Sequence, residues 1–190
     1  TSRNSGIQLE FKGLNFKSPL HGDYNLTNIA ASIAFGVIFK VKLINIQDAI
    51  AGYQSENNRS QKLKIGNVEY VLDAYNANPS SMEVALKAFA ENKSNSKTVI
   101  LGDMLELGIY SNEEHENVLK LCLEYKFNNI FTLGNHFKTT SIEAKEIIKF
   151  ERIEIFKKYL KKQNILFDYV LIKGSRALEL EGLIPFLKSK

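Results

Sequence analysis

The sequence predicts an α/β fold, an open and mostly parallel sheet with helices on both faces, preceded by a shorter unit. Three observations point there. Short, largely apolar runs recur at Val68–Leu72, Thr98–Leu101, Ile130–Leu133 and Tyr169–Ile172, as expected of parallel strands covered on both faces. Segments with helical spacing and legible starts alternate with them. The connections are short, which lets each helix pack back onto the sheet. Ile147–Phe150 is a further strand candidate.

Taken in order, Ile7–Phe11 and Leu14–Phe16 flank Lys12-Gly13 and read as a hairpin. Ile29, Ile33 and Val37, with Ala30 and Ala34 beside them, give helical spacing and close packing against a neighbour. A shorter helix follows, with Asn45 as its expected cap and Ile46, Ala49, Ile50 and Tyr53 on one face. Between Gln54 and Lys62 the chain turns polar, a composition shift that marks a domain boundary. The expected domains are residues 1–57 and 58–190. A hairpin and two helices are too little for a closed domain, so the first reads as the trailing end of something larger.

Beyond the boundary, Asn78 is placed to cap a helix that starts at Pro79, with Met82, Ala85, Leu86 and Phe89 buried. Ser111 and Glu114 have capping-box spacing, followed by Val118, Leu119 and Cys122 on one face. The last helix is expected to bury Leu180, Leu183, Ile184 and Leu187, with a kink at Pro185.

Composition narrows the function classes. The 190 residues are 44% hydrophobic and include one cysteine, enough for a buried core and no basis for an internal disulfide. A net charge of +4 owes much to Lys157, Lys158, Lys161 and Lys162. These flank Ile153, Phe156 and Leu160, the pattern of an amphipathic helix with a solvated face and not of a nucleic-acid surface. The longest uncharged stretch, Tyr24–Phe39, is shorter than the roughly 20 apolar residues of a spanning helix. No membrane insertion is expected, and with no signal-peptide pattern the expected compartment is the cytoplasm. The three histidines show no metal-ligand spacing.

In open α/β sheets, ligands collect at the carboxyl ends of the strands. Those ends carry Asp73, then Gly102-Asp103 with Glu106, then Gly134, then Lys173-Gly174-Ser175-Arg176. Alone, this supports binding of something polar. It leaves open a Rossmann-like nucleotide-binding module using Gly102 or Gly134 as a phosphate turn, although neither belongs to a Gly-x-Gly-x-x-Gly series.

Four stretches are more specific. They are Gly22-Asp23-Tyr24-Asn25-Leu26-Thr27-Asn28, Asp73-Ala74-Tyr75-Asn76-Ala77-Asn78-Pro79, Leu101 to Gly108 (Leu-Gly-Asp-Met-Leu-Glu-Leu-Gly) and Lys173-Gly174-Ser175-Arg176. In order and spacing they resemble the ATP-dependent Mur ligases. The second and third look like those of members that attach D-alanyl-D-alanine to UDP-N-acetylmuramoyl-tripeptide. Another Mur-type or folate-polyglutamate ligase is the near alternative.

The resemblance implies a Rossmann-like acceptor-binding domain preceded by the end of a central ATP-binding domain. It further implies that Asn25 and Asn28 face adenine, whose adjacent donor and acceptor an amide can match. Where the family more often has histidine this chain has Tyr24, which is assigned no role beyond stacking or packing. Arg59 matches the arginine that reaches the terminal phosphate, where a planar, always-charged group suits phosphoryl transfer. Asp73 matches the acid that accepts ribose hydroxyls. Asn76 and Asn78 would face the incoming dipeptide, Lys173, Ser175 and Arg176 its carboxylate, and Asp103 and Glu106 its ammonium. No Gly-x-x-x-x-Gly-Lys-Ser/Thr loop occurs in the chain. The phosphate cradle and the ligands for magnesium are therefore expected upstream of Thr1, and the chain alone is expected to be inactive.

Overall fold

The computed structural model describes residues 6–20, 24–53, 59–163 and 165–189. The chain divides into two compact units, Thr1–Ser55 and Glu56–Lys190. The boundary expected at 57/58 and the motif residues Gly22 and Asp23 lie outside the described residues.

In the first unit, β1 (Ile7–Phe11) and β2 (Leu14–Ser18) form an antiparallel hairpin with Phe11 opposite Leu14. Lys12 and Gly13 both have positive φ, 48° and 76°, the turn geometry whose twist matches that of the strands. Helices α1 (Tyr24–Ile38) and α2 (Leu43–Ala51) follow. Ile29, Ile33, Ile46 and Ile50 close a small core over Phe16, and Gln47 Nε2 donates to the Asn15 carbonyl at 2.8 Å. Asn45 is not the cap of α2. The Lys42 carbonyl already accepts from the Asn45 and Ile46 N–H groups, so the helix starts earlier, at Leu43.

The second unit runs β3 (Gln61–Ile65), β4 (Val68–Asp73), α3 (Pro79–Ala90), β5 (Lys97–Gly102), α4 (Ser111–Glu124), β6 (Asn129–Leu133), α5 (Asn135–Lys138), β7 (Ile147–Phe150), α6 (Ile153–Gln163), β8 (Leu166–Phe167), β9 (Tyr169–Lys173) and β10 (Lys188–Ser189). Its main sheet has six strands in the order β3-β4-β9-β5-β6-β7. Strand β3 is antiparallel to β4 and every other pairing in that sheet is parallel. The short β8 and β10 pair separately. The α/β class, the parallel pairing and the strand at Ile147–Phe150 agree with the sequence.

Both faces of the sheet are covered. Helices α3, α4 and α5 bring Met82, Leu86, Leu119 and Phe137 against Val99, Leu101, Ile130 and Leu171. Helix α6 and the C-terminal turns bring Phe156, Leu160, Leu180 and Leu183 against Val68, Ile100, Phe131 and Ile172. Fully burying one such side chain stabilises the fold by about 1.5–3 kcal/mol. Lys158, Lys161 and Lys162 stay exposed, as an amphipathic α6 requires.

Three local expectations change. Strand β3, not among the expected strands, begins at the end of the polar stretch, where Leu63 and Ile65 alternate with lysines at a sheet edge. Ser111 is not an N-cap: a 3-10 turn at Gly108–Tyr110 leads directly into α4. The C-terminal helix is two 3-10 segments, Arg176–Leu178 and Leu180–Phe186, joined at Glu179 with φ 45°. Leu180 and Leu183 are buried there nonetheless.

Candidate functional site

Strand register brings the carboxyl ends of β4, β9, β5 and β6 into one row. Asp73 is level with Lys173, Lys173 with Leu101, and Gly102 with Leu133. The chain crosses itself tightly at this edge. A Cβ on Gly174 would lie 2.9 Å from the Gly102 Cα and 2.6 Å from Leu180 Cδ1, so only glycine lets the segments after β5 and β9 approach so closely.

At the end of β4, Asp73 Oδ1 accepts from the Ser60 N–H at 2.9 Å, and Oδ2 accepts from Lys173 Nζ at 2.5 Å. Lys173 is buried, and its Nζ also donates to the Asn76 carbonyl at 3.2 Å. The carboxylate it meets in this structure is thus the one of Asp73, from its own chain. Asn78 is the N-cap of α3: its Oδ1 accepts from Ser81 N–H at 2.8 Å while Ser81 Oγ accepts from Asn78 N–H. The exposed Asn76 accepts from the Ala77 N–H at 2.9 Å through its own Oδ1. The Arg59 guanidinium lies over the Tyr75 ring, 3.7 Å from the centroid, a cation–π arrangement that brings Arg59 to the Asp73–Asn78 segment.

At the end of β5, Asp103 is buried and turned inward. Its oxygens accept from the His136 and Phe137 N–H groups at 2.9 and 3.0 Å, at the start of α5. Asp103 therefore organises the loop, and its burial, not a lack of acceptor sites, limits the access of an ammonium ligand. Glu106, exposed with φ 64°, is the acid of this loop that remains at the surface. His115, fully buried, donates from Nδ1 to the Ser111 carbonyl at 2.6 Å and accepts the Met104 N–H on Nε2 at 3.0 Å. It is thereby held in the neutral Nδ1–H form. The Ser111 hydroxyl is engaged with His136 Nδ1 at 3.0 Å.

Burial pushes the His115 imidazole below its ordinary value. The unfolded chain then takes up a proton before the folded one does. Stability is retained above about pH 6.5 and falls with decreasing pH until the folded-state pKa is reached, at no more than about 1.4 kcal/mol per unit. Urea unfolding between pH 7.5 and 5 is expected to show this slope, and His115→Gln to flatten it. An equal slope in the variant would place the titration elsewhere.

At the end of β9, Ser175 is buried and its Oγ has no hydrogen-bond partner among the described residues. Such an atom has an unmet requirement that a bound polar group can meet. Arg176 is exposed and pairs with Glu181. In the first unit, Asn28 Nδ2 donates to Asn25 Oδ1 at 3.1 Å, one turn apart on α1, with Asn25 buried and Asn28 exposed. Among the described residues no group of three His, Cys, Asp or Glu side chains could hold a metal ion, and no helix is long and apolar enough to cross a membrane.

The second unit thus brings Arg59, Asp73, Asn76 and Lys173 into one connected set, with Asn78 two residues beyond Asn76. Sequence reasoning gave no role to Tyr75, inside the second motif stretch, or to Ser60, next to Arg59, because their partners become visible only once β3 is paired to β4.

Comparison with known proteins follows this geometry. The chain is 31% identical over 191 residues to the UDP-N-acetylmuramoyl-tripeptide–D-alanyl-D-alanine ligase of Treponema pallidum, covering 97% of this chain and 41% of that protein. It is 27% identical over 195 residues to the Bacillus subtilis ligase of the same name, covering 96% and 42%. The chain therefore spans about two fifths of the length of these relatives. Among solved structures, the UDP-N-acetylmuramoylalanyl-D-glutamyl-2,6-diaminopimelate–D-alanyl-D-alanyl ligase of Acinetobacter baumannii superposes with a TM-score of 0.80 at 25% identity, covering 94% of this chain and 40% of that one. Residues 58–176 match the family described as Mur ligase, glutamate ligase domain, and the chain belongs to the Mur ligase family.

Proposed function

We propose that this chain is the adenosine- and acceptor-facing part of an ATP-dependent ligase that joins D-alanyl-D-alanine to UDP-N-acetylmuramoyl-tripeptide in peptidoglycan precursor synthesis. One observation carries the proposal. The motif stretches at Asp73, Gly102 and Lys173 leave adjacent strands, β4, β5 and β9, at the same sheet edge. The likeness to ligases of that name across nearly the whole chain supports it.

In the reaction assigned to the whole enzyme, the tripeptide's terminal carboxylate is activated as an acyl phosphate at the expense of ATP. The dipeptide amine then attacks it through a tetrahedral intermediate, releasing phosphate. Asp73 suits the ribose: an ionised carboxylate has about four acceptor sites, and Ser60 and Lys173 leave capacity on a side chain that is 19% exposed. Asn25 and Asn28 are assigned to adenine, and Arg59 to the charge on the transferring phosphoryl group. Asn76, Asn78, Ser175 and Arg176 are assigned to the dipeptide backbone and carboxylate, and Glu106 to its ammonium. Asp103 keeps the loop bearing Glu106 in place. Magnesium is assigned to the remainder of the enzyme, and the cytoplasm is the proposed compartment.

The 190-residue chain alone is expected to give no ATP-dependent ligation above background and only weak ATP binding. Mixing it with a separately produced polypeptide that carries the phosphate-binding part is expected to restore product formation, followed as phosphate released in the presence of D-alanyl-D-alanine. Turnover by this chain alone would overturn the proposal.

A further inference from the structure

A single enclosed ammonium serves two neighbours that the proposed function assigns to different substrates. Lys173 ends β9, the strand inserted between β4 and β5, and is 1% exposed. Its Nζ donates at 2.5 Å to Asp73 Oδ2 and at 3.2 Å to the Asn76 main-chain oxygen. A buried ammonium without such partners is strongly unfavourable, so burial enforces both contacts.

The contacts constrain the two ends of the Asp73–Asn78 segment differently. With the Ser60 N–H on Oδ1 and Lys173 on Oδ2, the Asp73 carboxylate cannot rotate, and its remaining lone pairs keep a fixed direction. At the other end, the Asn76 carbonyl and the Ala77 N–H belong to the same peptide plane. Lys173 holds the oxygen and the Asn76 side chain holds the N–H at 2.9 Å. Releasing the oxygen frees that plane and, with it, the Asn76 amide.

The geometry points to Lys173 as a positioning residue that couples the nucleotide-facing carboxylate of Asp73 to the acceptor-facing peptide of Asn76. This rests on the proposed assignments of Asp73 and Asn76. It moves Lys173 from the set that touches the dipeptide to the set that orients what does.

The test combines kinetics on the complete ligase with amide exchange on this chain. Lys173→Met is expected to raise KM for ATP and for D-alanyl-D-alanine together, each by about tenfold. Asp73→Asn is expected to raise only the first and Asn76→Ala, which keeps the main-chain oxygen, only the second. The double variant Asp73→Asn/Lys173→Met leaves no unpaired charge and is expected to recover thermal stability. It should nevertheless keep the raised dipeptide KM, because nothing holds the Asn76 oxygen. Hydrogen exchange at residues 74–76 and 78 of the 190-residue chain is expected to accelerate in both Lys173 variants and not in Asn76→Ala, which removes the Oδ1 acceptor of the Ala77 N–H and is expected to speed exchange at Ala77 alone. Recovery of the dipeptide KM in the double variant, or unchanged exchange across 74–78, would overturn the coupling and leave Lys173 an ordinary ion-pair partner. Should the unmodified ligase fail to use D-alanyl-D-alanine, the proposed function falls, and exchange alone decides whether Lys173 holds the segment.

Discussion

Arg59→Ala in the complete ligase is expected to lower kcat by about a thousandfold or more while leaving the KM for D-alanyl-D-alanine within about twofold of its original value. The guanidinium is delocalised and permanently charged, so it can match charge spread over the oxygens of a transferring phosphoryl group. A thousandfold corresponds to about 4 kcal/mol of barrier, beyond the reach of a solvated surface charge. The stacking on Tyr75 gives the side chain a defined place beside Asp73. Arg59→Lys keeps the charge but loses the plane and the fork, and is expected to recover only part of the rate. Steady-state kinetics with circular dichroism as a control for folding decides the matter. Near-normal turnover in Arg59→Ala would leave the contact with Tyr75 as the whole of its role.

The largest effect on stability is expected at Gly134, where alanine should lower the unfolding free energy by roughly 3 kcal/mol or more. Its backbone has φ 119° and ψ 167°, a region essentially restricted to glycine. A Cβ there would also overlap the Asp103 carboxylate. Relief would push that carboxylate off the His136 and Phe137 N–H groups, leaving buried donors without partners. Urea unfolding measures the loss. A midpoint within experimental error of the parent would mean that the segment from Leu133 to Phe137 shifts at little cost. Ligation should fall in the same variant if the Asp103 loop carries Glu106 to the dipeptide.

Strands β4, β5, β6, β7 and β9 of the second unit were legible because parallel strands buried on both faces concentrate apolar residues, whereas β3, an antiparallel edge strand with lysines between its apolar positions, was not. Position along the sheet was not. Nothing local in Tyr169–Lys173 marks it as the strand that enters between β4 and β5, since that follows from partners about a hundred residues away. The same limit applies to the site. Asp73 and Asn76 could be named from their motif, but that Lys173 would meet them depends on register. Asp103 was named correctly as a strand-end acid, yet the start of α5, 33 residues on, turns it inward. Capping followed the same rule: Asn78 finds its partner three residues away and was readable, while Ser111 is drawn to His136, 25 residues away. Short-range chemistry could be read from the residues, and chemistry closed across the sheet could not.

The strand order also bears on when this unit can fold. Strand β9 is the last of the six strands of the main sheet to be made, yet it lies between β4 and β5, which do not pair with each other. As the chain leaves the ribosome, β5, β6 and β7 can assemble with their helices, while β3 and β4 remain a separate hairpin with an unfilled parallel edge. The two halves join only when Tyr169–Lys173 arrives, at the entropic expense of closing a long loop. Until then the open edges of β4 and β5 are exposed to pairing with other chains. A polypeptide ending just before β9 therefore loses the middle of its sheet and not its margin, and closure of this sheet is deferred until Tyr169–Lys173 is in place.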